Sequence, residues 1–466
     1  MASFTIGQII EATGGEILNH DPSLLNTKIH GVSTDTRKVK KRELFIPLVG
    51  DLFDGHAFID RAVKKGAGAI LSHLDETEYP YDIPVIKVGD TLKALQDLAY
   101  FHRNRFNIPI IGITGSNGKT TTKDMVASVL SKEYDVLKTE GNLNNEIGLP
   151  LTLLRLEDKH QVGVIEMGMS DLGEIRRLAQ IASPTIAVIT NIGVSHIENL
   201  ATRENILKAK KEIFDYFTHE NVGILNGDDE LLATIEGKLP FKIIYYGTKD
   251  GMDLKANNIG TLGGKGVSYD LEQDGERVSI ELGIPGKHNV YNSMVVVAIG
   301  MIMGMDMYNI IDGLKAFRTG EMRLNIFTTT RGITVIDDVY NASPDPMKAT
   351  IEILKDLGNG RRIAILGDML ELGSYSEEAH LDVGKFVVNN QIDILITLGN
   401  ESRLIGEGAK ISGMDTECII HKESNKDVIE LLDTILNQDD IILVKGSRGM
   451  KMEEIVDYLK KRGTDR

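Results

Sequence analysis

The sequence predicts an α/β protein of three domains: a small α/β domain over residues 1–104, a central doubly wound parallel sheet with a P-loop over 105–319, and a Rossmann-like domain over 320–466. Three observations predict it. The chain has 466 residues, more than one hydrophobic core usually supports. Short, nearly all-apolar runs alternate with helical patterns, as strands buried on both faces of a parallel sheet require. The first such run of the middle region leads straight into a glycine-rich turn and a helix start.

Taken in order, Leu44-Phe45-Ile46, Ala69-Ile70-Leu71 and Val85-Ile86-Lys87-Val88 read as short strands of the first domain, and 91–103 as its helix. Residues 108–113 form the first central strand, followed by strands at 161–166, 185–190 and 222–225 with helical patterns between them. Between 253 and 283 the residues alternate and are punctuated by Gly263-Gly264 and Asp274-Gly275, the pattern of β-hairpins added to the same domain. Helices at 289–304 and 308–316 close it, and Phe317-Arg318-Thr319-Gly320 reads as a hinge. Beyond it, strands at 333–337, 362–367, 393–397 and 440–444 are separated by helices near 344–357, 376–389 and 426–437.

The net charge is −16, from 68 acidic and 52 basic residues. That argues against a general nucleic-acid binder, whose affinity comes from Lys and Arg neutralising phosphates. A nucleotide ligand stays open, because a glycine loop and one lysine hold phosphates inside an acidic protein. The single cysteine, Cys418, excludes a disulfide within the chain and a cysteine zinc site, and reads as a small buried strand residue. No leader peptide stands out in MASFTIGQIIEATGG, and no apolar run reaches the roughly 18 to 20 residues of a membrane span. A cytoplasmic protein, acting as a monomer, is the default expectation.

The chemistry starts at Thr114-Gly115-Ser116-Asn117-Gly118-Lys119-Thr120-Thr121. Strand, glycine turn and Lys-Thr at a helix start place backbone N–H groups and a positive helix end around a phosphate. Lys119 would reach the outer phosphates and the Thr120 hydroxyl a Mg²⁺ ion. Ile113 stands where the general pattern has its first glycine, so an ordinary strand-to-helix turn is the alternative. Glu166 ends the apolar strand Val162-Gly163-Val164-Ile165, where a carboxylate can serve a metal beside a phosphate loop or be simply a solvated strand end. His196 follows the strand at 185–190, on the side where open α/β sheets bind ligands, or is a turn histidine bonded to backbone. Lys210 falls on the apolar stripe Ile206, Lys210, Ile213, Phe214, Phe217. From the pattern alone, a lysine snorkelling over apolar surface is favoured over a desolvated, reactive amine.

Together these residues resemble the Mur ligases of bacterial cell-wall synthesis, whose ATP loop also lacks the first glycine. The resemblance implies that Thr120, Glu166, His196 and Lys210 hold Mg²⁺, with Lys210 carbamylated, and that Lys119, Glu166, His196 and Lys210 serve catalysis. Pro285-Gly286-Lys287-His288-Asn289-Val290-Tyr291-Asn292 is similar to the adenine-contacting segment, which makes Asn289 and Asn292 ATP candidates. Gly320-Glu321-Met322-Arg323 takes the place of the family's Gly-Arg pair and adds Arg323. Further stretches resemble the branch of the family that joins D-alanyl-D-alanine to UDP-N-acetylmuramoyl-tripeptide. These are Ser33-Thr34-Asp35-Thr36-Arg37 with Asp54-Gly55-His56, Thr139-Glu140-Gly141-Asn142-Leu143-Asn144-Asn145, Leu366 to Gly373, and Lys445-Gly446-Ser447-Arg448. Thr36 replaces the commoner serine and keeps the hydroxyl.

On that resemblance the first domain would hold the UDP-sugar through Ser33, Asp35, Thr36 and Arg37. Asn142, Asn144 and Asn145 would also serve substrate. Asp337, Asn341, Ser343, Lys445 and Arg448 would meet the dipeptide, although Asn341-Ala342-Ser343-Pro344 can equally be a strand exit capping the next helix. ATP would convert a carboxylate to an acyl phosphate for attack by the dipeptide amine, with two Mg²⁺ ions neutralising phosphoryl charge. The rivals are a sister ligase adding lysine or diaminopimelate, disfavoured by 142–145 and 366–373, and a P-loop switch, which leaves Glu166, His196 and Lys210 without a purpose. The residues leave open whether the tripeptide ends in lysine or diaminopimelate.

Overall fold

A computed structural model describes residues 2–18, 22–50, 52–74, 81–320 and 322–462. Glu321 of the Gly320–Arg323 stretch lies outside them. Three α/β units follow one another along the chain, each built on its own sheet. The first sheet has five short strands in the order 16–17, 85–87, 69–72, 44–45, 32–33, parallel except for the 16–17 edge. Its helix Thr91–Arg103 starts where the Asp90 carboxylate accepts from the Lys93 amide, and its buried face carries Ala94, Leu95, Leu98 and Ala99.

The central sheet has nine strands in the order 136–138, 162–166, 110–114, 186–189, 222–226, 242–247, 254–261, 267–273, 276–282. It is parallel as far as 254–261, and the last three strands form an antiparallel meander. The hairpins expected at 253–283 are therefore part of the parallel sheet's own edge. Strand Ile110–Thr114 lies between Val162–Glu166 and Ile186–Ile189, and all three are buried along their length. The loops leaving their carboxyl ends thus open on one edge, where a doubly wound sheet binds ligands.

The C-terminal sheet has six strands in the order 325–328, 334–337, 441–445, 362–367, 394–398, 419–422. Only the 325–328 edge is antiparallel. The last strand in sequence, Ile441–Lys445, is inserted between 334–337 and 362–367. Strands 136–138, 242–247, 325–328 and 419–422 extend the sequence-based assignment. Cys418 corrects it: the residue ends a single 3₁₀ turn, Thr416–Cys418, ahead of strand 419–422, and is half-buried.

Candidate active site

A cleft of about 920 Å³ separates the central and C-terminal units. Its central wall is the phosphate loop. Gly115 (φ 148°) and Gly118 (φ 81°) are left-handed, and a Cβ on them would sit 1.8 Å from Thr190 Oγ1 and 2.8 Å from Asn292 Oδ1. No side chain fits there, so both glycines are required by packing as well as by φ. The loop is clamped from the neighbouring strand exit. Thr190 Oγ1 donates to the Asn117 carbonyl (2.6 Å), Asn191 Oδ1 accepts from the Asn117 amide (2.9 Å), and the Asn191 carbonyl accepts from the Ser116 amide (3.0 Å). Lys119 Nζ curls onto the carbonyls of Gly115 (2.8 Å) and Ser116 (3.2 Å), and burial lowers its pKa. Thr114 is buried at the strand end, while Thr120 and Thr121 line the cleft.

Behind the loop runs a relay of side chains. Thr122 Oγ1 donates to Asn292 Oδ1 (3.1 Å), Asn292 Nδ2 to Asn289 Oδ1 (3.0 Å), and Asn289 Nδ2 to the Pro285 carbonyl (2.7 Å). Asn289 and Asn292 therefore brace helix His288–Ile302 against the phosphate-loop helix Lys119–Leu130 while bordering the cleft.

Glu166 is 2% exposed. Its Oε1 accepts from Thr120 Oγ1 (3.1 Å) and Asn144 Nδ2 (2.8 Å), while Oε2 is buried without a hydrogen-bond partner among the described residues. Lys123, equally buried, stands 3.9 Å from that oxygen. A solvated strand end is thereby ruled out. Asn145 Oδ1 accepts from the amides of Ile147 (3.2 Å) and Gly148 (2.9 Å), and Asn142 is exposed at the cleft edge.

His196 takes a left-handed φ of 63° at the start of the short helix Ile197–Leu200. Burial, with Lys119 and Lys210 nearby, holds its imidazole at about 4, so it is neutral at pH 7. Nδ1 lies 3.0 Å from Glu371 Oε2 of the C-terminal unit. A neutral ring carries one nitrogen lone pair that can serve a ligand. Lys210, in helix Arg203–Lys211, shares the buried face with Ile206 and Ala209 and is 1% exposed. Snorkelling requires the ammonium in water, so this burial overturns the reading the pattern alone favoured. Among the described residues no hydrogen bond or ion pair reaches the Lys210 side-chain nitrogen, and burial drives its pKa well below the ordinary lysine value. Among the described residues no three His, Cys, Asp or Glu side chains cluster as a metal site; Thr120 and Glu166 are two oxygen donors side by side at the phosphate loop.

The C-terminal wall is organised by Asp338, which the sequence reading passed over. Oδ1 accepts from the Leu324 amide (3.0 Å), and Oδ2 accepts from Thr350 Oγ1 (3.0 Å) and Lys445 Nζ. Lys445 also donates to the Asn341 carbonyl (3.0 Å) and is 2% exposed. Asp337, the residue expected here, is turned away from the cleft, with its nearest cation Lys460 at 3.8 Å and its pKa raised by burial. Its strand is buried on both faces, so no alternation marks which aspartate faces the cleft. Ser343 precedes helix Pro344–Asp356 but caps nothing: its hydroxyl crosses the cleft to Asn117 Oδ1 (3.0 Å). Arg448 is exposed at the cleft edge and pairs with Glu453 (3.2 Å), and Arg323 lies over the ring of Tyr340.

The four expected UDP-sugar residues are not brought into this cleft. They form a separate cluster on the first unit. Arg37 grips Asp35 through Nε (3.0 Å) and Nη2 (2.9 Å), which holds that carboxyl down at about 2. Ser33 Oγ donates to the Asp35 carbonyl (3.1 Å), and Thr36 is buried beside them.

Family profiles match along nearly the whole chain: "Mur ligase family, catalytic domain" at 28–103, "Mur ligase middle domain" at 113–300 and "Mur ligase, glutamate ligase domain" at 322–448. A UDP-N-acetylmuramoyl-tripeptide--D-alanyl-D-alanine ligase of Bacillus subtilis is 40% identical over 460 residues, covering 98% of this chain and 99% of the relative. The crystal structure of MurF from Acinetobacter baumannii superposes with a TM-score of 0.90 at 29% identity, covering 98% and 99%. The MurF ligase of Thermotoga maritima in complex with ADP gives 0.82 at 28% identity, covering 93% and 97%.

Proposed function

The chain belongs to the Mur ligase family, and from that premise we propose that it joins D-alanyl-D-alanine to UDP-N-acetylmuramoyl-tripeptide, consuming ATP, as a step of peptidoglycan precursor synthesis. The observation that carries this reading is the pairing across one cleft of a phosphate loop with a second, polar wall built on Asp338, Lys445 and Arg448. A switch protein needs only the first wall. A ligase needs both, because the activated carboxyl and the incoming amine must meet out of water.

The reaction follows from the charges. A carboxylate resists attack by an amine, so its oxygen first takes the terminal phosphoryl group of ATP, releasing ADP and leaving an acyl phosphate. The amine of the dipeptide adds to the acyl carbon, loses a proton, and the tetrahedral intermediate expels phosphate as the amide forms. Backbone N–H groups of residues 118–120 and the Lys119 ammonium cradle the phosphates, Thr121 flanks them, and Thr114 supports the loop from the buried strand end. Asn289 and Asn292 border the nucleotide's base, and Arg323 adds a cation from the other wall. Asn341, Ser343, Lys445 and Arg448 border the dipeptide, and Asp338 takes the place expected of Asp337. Ser33, Asp35, Thr36 and Arg37 hold the UDP end on the first unit, with Asn142, Asn144 and Asn145 along the path between. The units divide at about 1–104, 105–319 and 320–466.

Magnesium fits the residues present. The unpartnered Oε2 of Glu166 beside the Thr120 hydroxyl offers hard oxygen donors, and His196 keeps a free ring nitrogen. Lys210 as an ammonium cannot ligate, but as a carbamate it becomes a carboxylate, which also removes the problem of a buried, unpaired lysine. Thr120 with Glu166, and His196 with carbamylated Lys210, would hold ions acting as Lewis acids on the phosphoryl oxygens. Among the described residues no helix is long and apolar enough to cross a membrane; a cytoplasmic monomer with small-molecule substrates, and no nucleic acid partner, is the reading proposed.

The test is product formation by mass spectrometry, with ATP, D-Ala-D-Ala and UDP-N-acetylmuramoyl-tripeptides ending in lysine or diaminopimelate. An amide product with one ADP per turnover is expected. Turnover with a single amino acid and none with the dipeptide would sink the assignment in favour of a sister ligase.

A further inference from the structure

We propose that Tyr340 is a positioning residue: its ring holds the Arg323 guanidinium flat so that all five N–H donors stay free for the nucleotide phosphates across the cleft. The proposal rests on the reading of Arg323 as an ATP-side residue. The Arg323 guanidinium carbon lies over the Tyr340 ring, 3.7 Å from its centroid, a close cation–π contact. Among the described residues no carboxylate or carbonyl bonds the Arg323 side chain, unlike Arg37, Arg361 or Arg403, which are each committed to an acid. Stacking uses the face of a guanidinium and none of its edge donors, so it orients the group without consuming binding capacity.

The backbone supports the same geometry. Met322 (φ 62°) and Leu324 (φ 49°) are both left-handed and bracket Arg323. The Tyr340 amide donates to the Met322 carbonyl (3.1 Å), and the Leu324 amide to Asp338 Oδ1 (3.0 Å). The two segments are thus sewn together on both sides of the stack, in a conformation that non-glycine residues adopt only when their surroundings impose it. Arg323 and Tyr340 border the same cleft as Lys119.

The experiment is calorimetric binding of a non-hydrolysable ATP analogue, with steady-state kinetics alongside, for Tyr340→Ala, Tyr340→Phe, Arg323→Ala and the Tyr340→Ala/Arg323→Ala pair. Tyr340→Ala should weaken analogue binding about tenfold and raise the KM for ATP, with the KM of both peptide substrates unmoved. Tyr340→Phe keeps the ring and should recover most of that loss. In the double variant the Tyr340 effect should vanish, since it acts only through Arg323. Tyr340→Leu replaces the alanine variant if the latter melts early. A Tyr340 effect that persists undiminished without Arg323, or none at all while Arg323→Ala is impaired, overturns the proposal. Arg323→Ala binding the analogue normally overturns the underlying reading of Arg323, and this proposal with it.

Discussion

Lys210 on the central unit and Lys445 on the C-terminal unit are equally inaccessible, at 1% and 2% exposure, yet their surroundings are opposite. Lys445 has a carboxylate and a carbonyl at its ammonium, and Lys210 has neither among the described residues. A buried lysine with partners can keep its charge and hold structure together. One without partners has its pKa lowered by burial, which favours the neutral amine, the form that reacts with CO₂. The same burial therefore marks a brace on one side of the cleft and chemistry on the other.

The largest expected effect tests the chemical side. Lys210→Ala should lower kcat on the order of 10³-fold, with partial recovery by added short carboxylates. Lys210→Met keeps the volume and should leave Tm unchanged or higher, because no ion pair is lost. Full activity in either variant would remove the carbamate. Lys445→Met should destabilise the fold by about 3 kcal/mol in urea unfolding, since it strands the Asp338 carboxylate. Adding Asp338→Asn should return part of that loss; an additive double variant would mean the two are not coupled.

His102 sharpens the comparison as a buried base with no chemistry to do. It is 2% exposed, packed edge-on against Phe4 and Phe106, and burial holds it at about 4 against 6.5 for a free histidine. Above pH 6.5 neither folded nor unfolded chain binds the proton. Between 6.5 and about 4 only the unfolded chain does, so stability falls with falling pH and levels off once both are protonated. The loss should be on the order of 3 kcal/mol, and His102→Gln should flatten that limb of the stability–pH curve. The smallest effect belongs to the bond between the walls: Ser343→Ala should lower kcat/KM about fivefold without moving Tm.

What could be read from the residues was whatever lies close together in sequence. The phosphate loop, Glu166 at a strand end and His196 after the next strand are each a local pattern, and parallel strands bring their exits to one edge. What could not be read depends on distant partners. Thr190 and Asn191 clamp Asn117 from more than 70 residues away, and nothing in Thr190-Asn191 alone announces it. Asp337 ends a strand buried on both faces and Asp338 follows it, so no alternation tells which of the two faces the cleft. The burial of Lys210 was visible as a misplaced stripe residue, but the absence of a partner was not. Strands 136–138 and 419–422 are too short to carry a periodicity.

Strand Ile441–Lys445 closes the C-terminal sheet from its middle, and it carries the lysine that completes the bonds of Asp338 to Leu324 and Thr350. A ribosome delivers the chain from its N-terminus, so the phosphate loop and its clamp can fold while this strand is still unmade. Until it arrives, strands 334–337 and 362–367 have no common neighbour and the wall facing the amine cannot assemble. Synthesis itself thus orders the two halves of the cleft, with the nucleotide side made first and the acceptor side completed only once strand 441–445 has emerged.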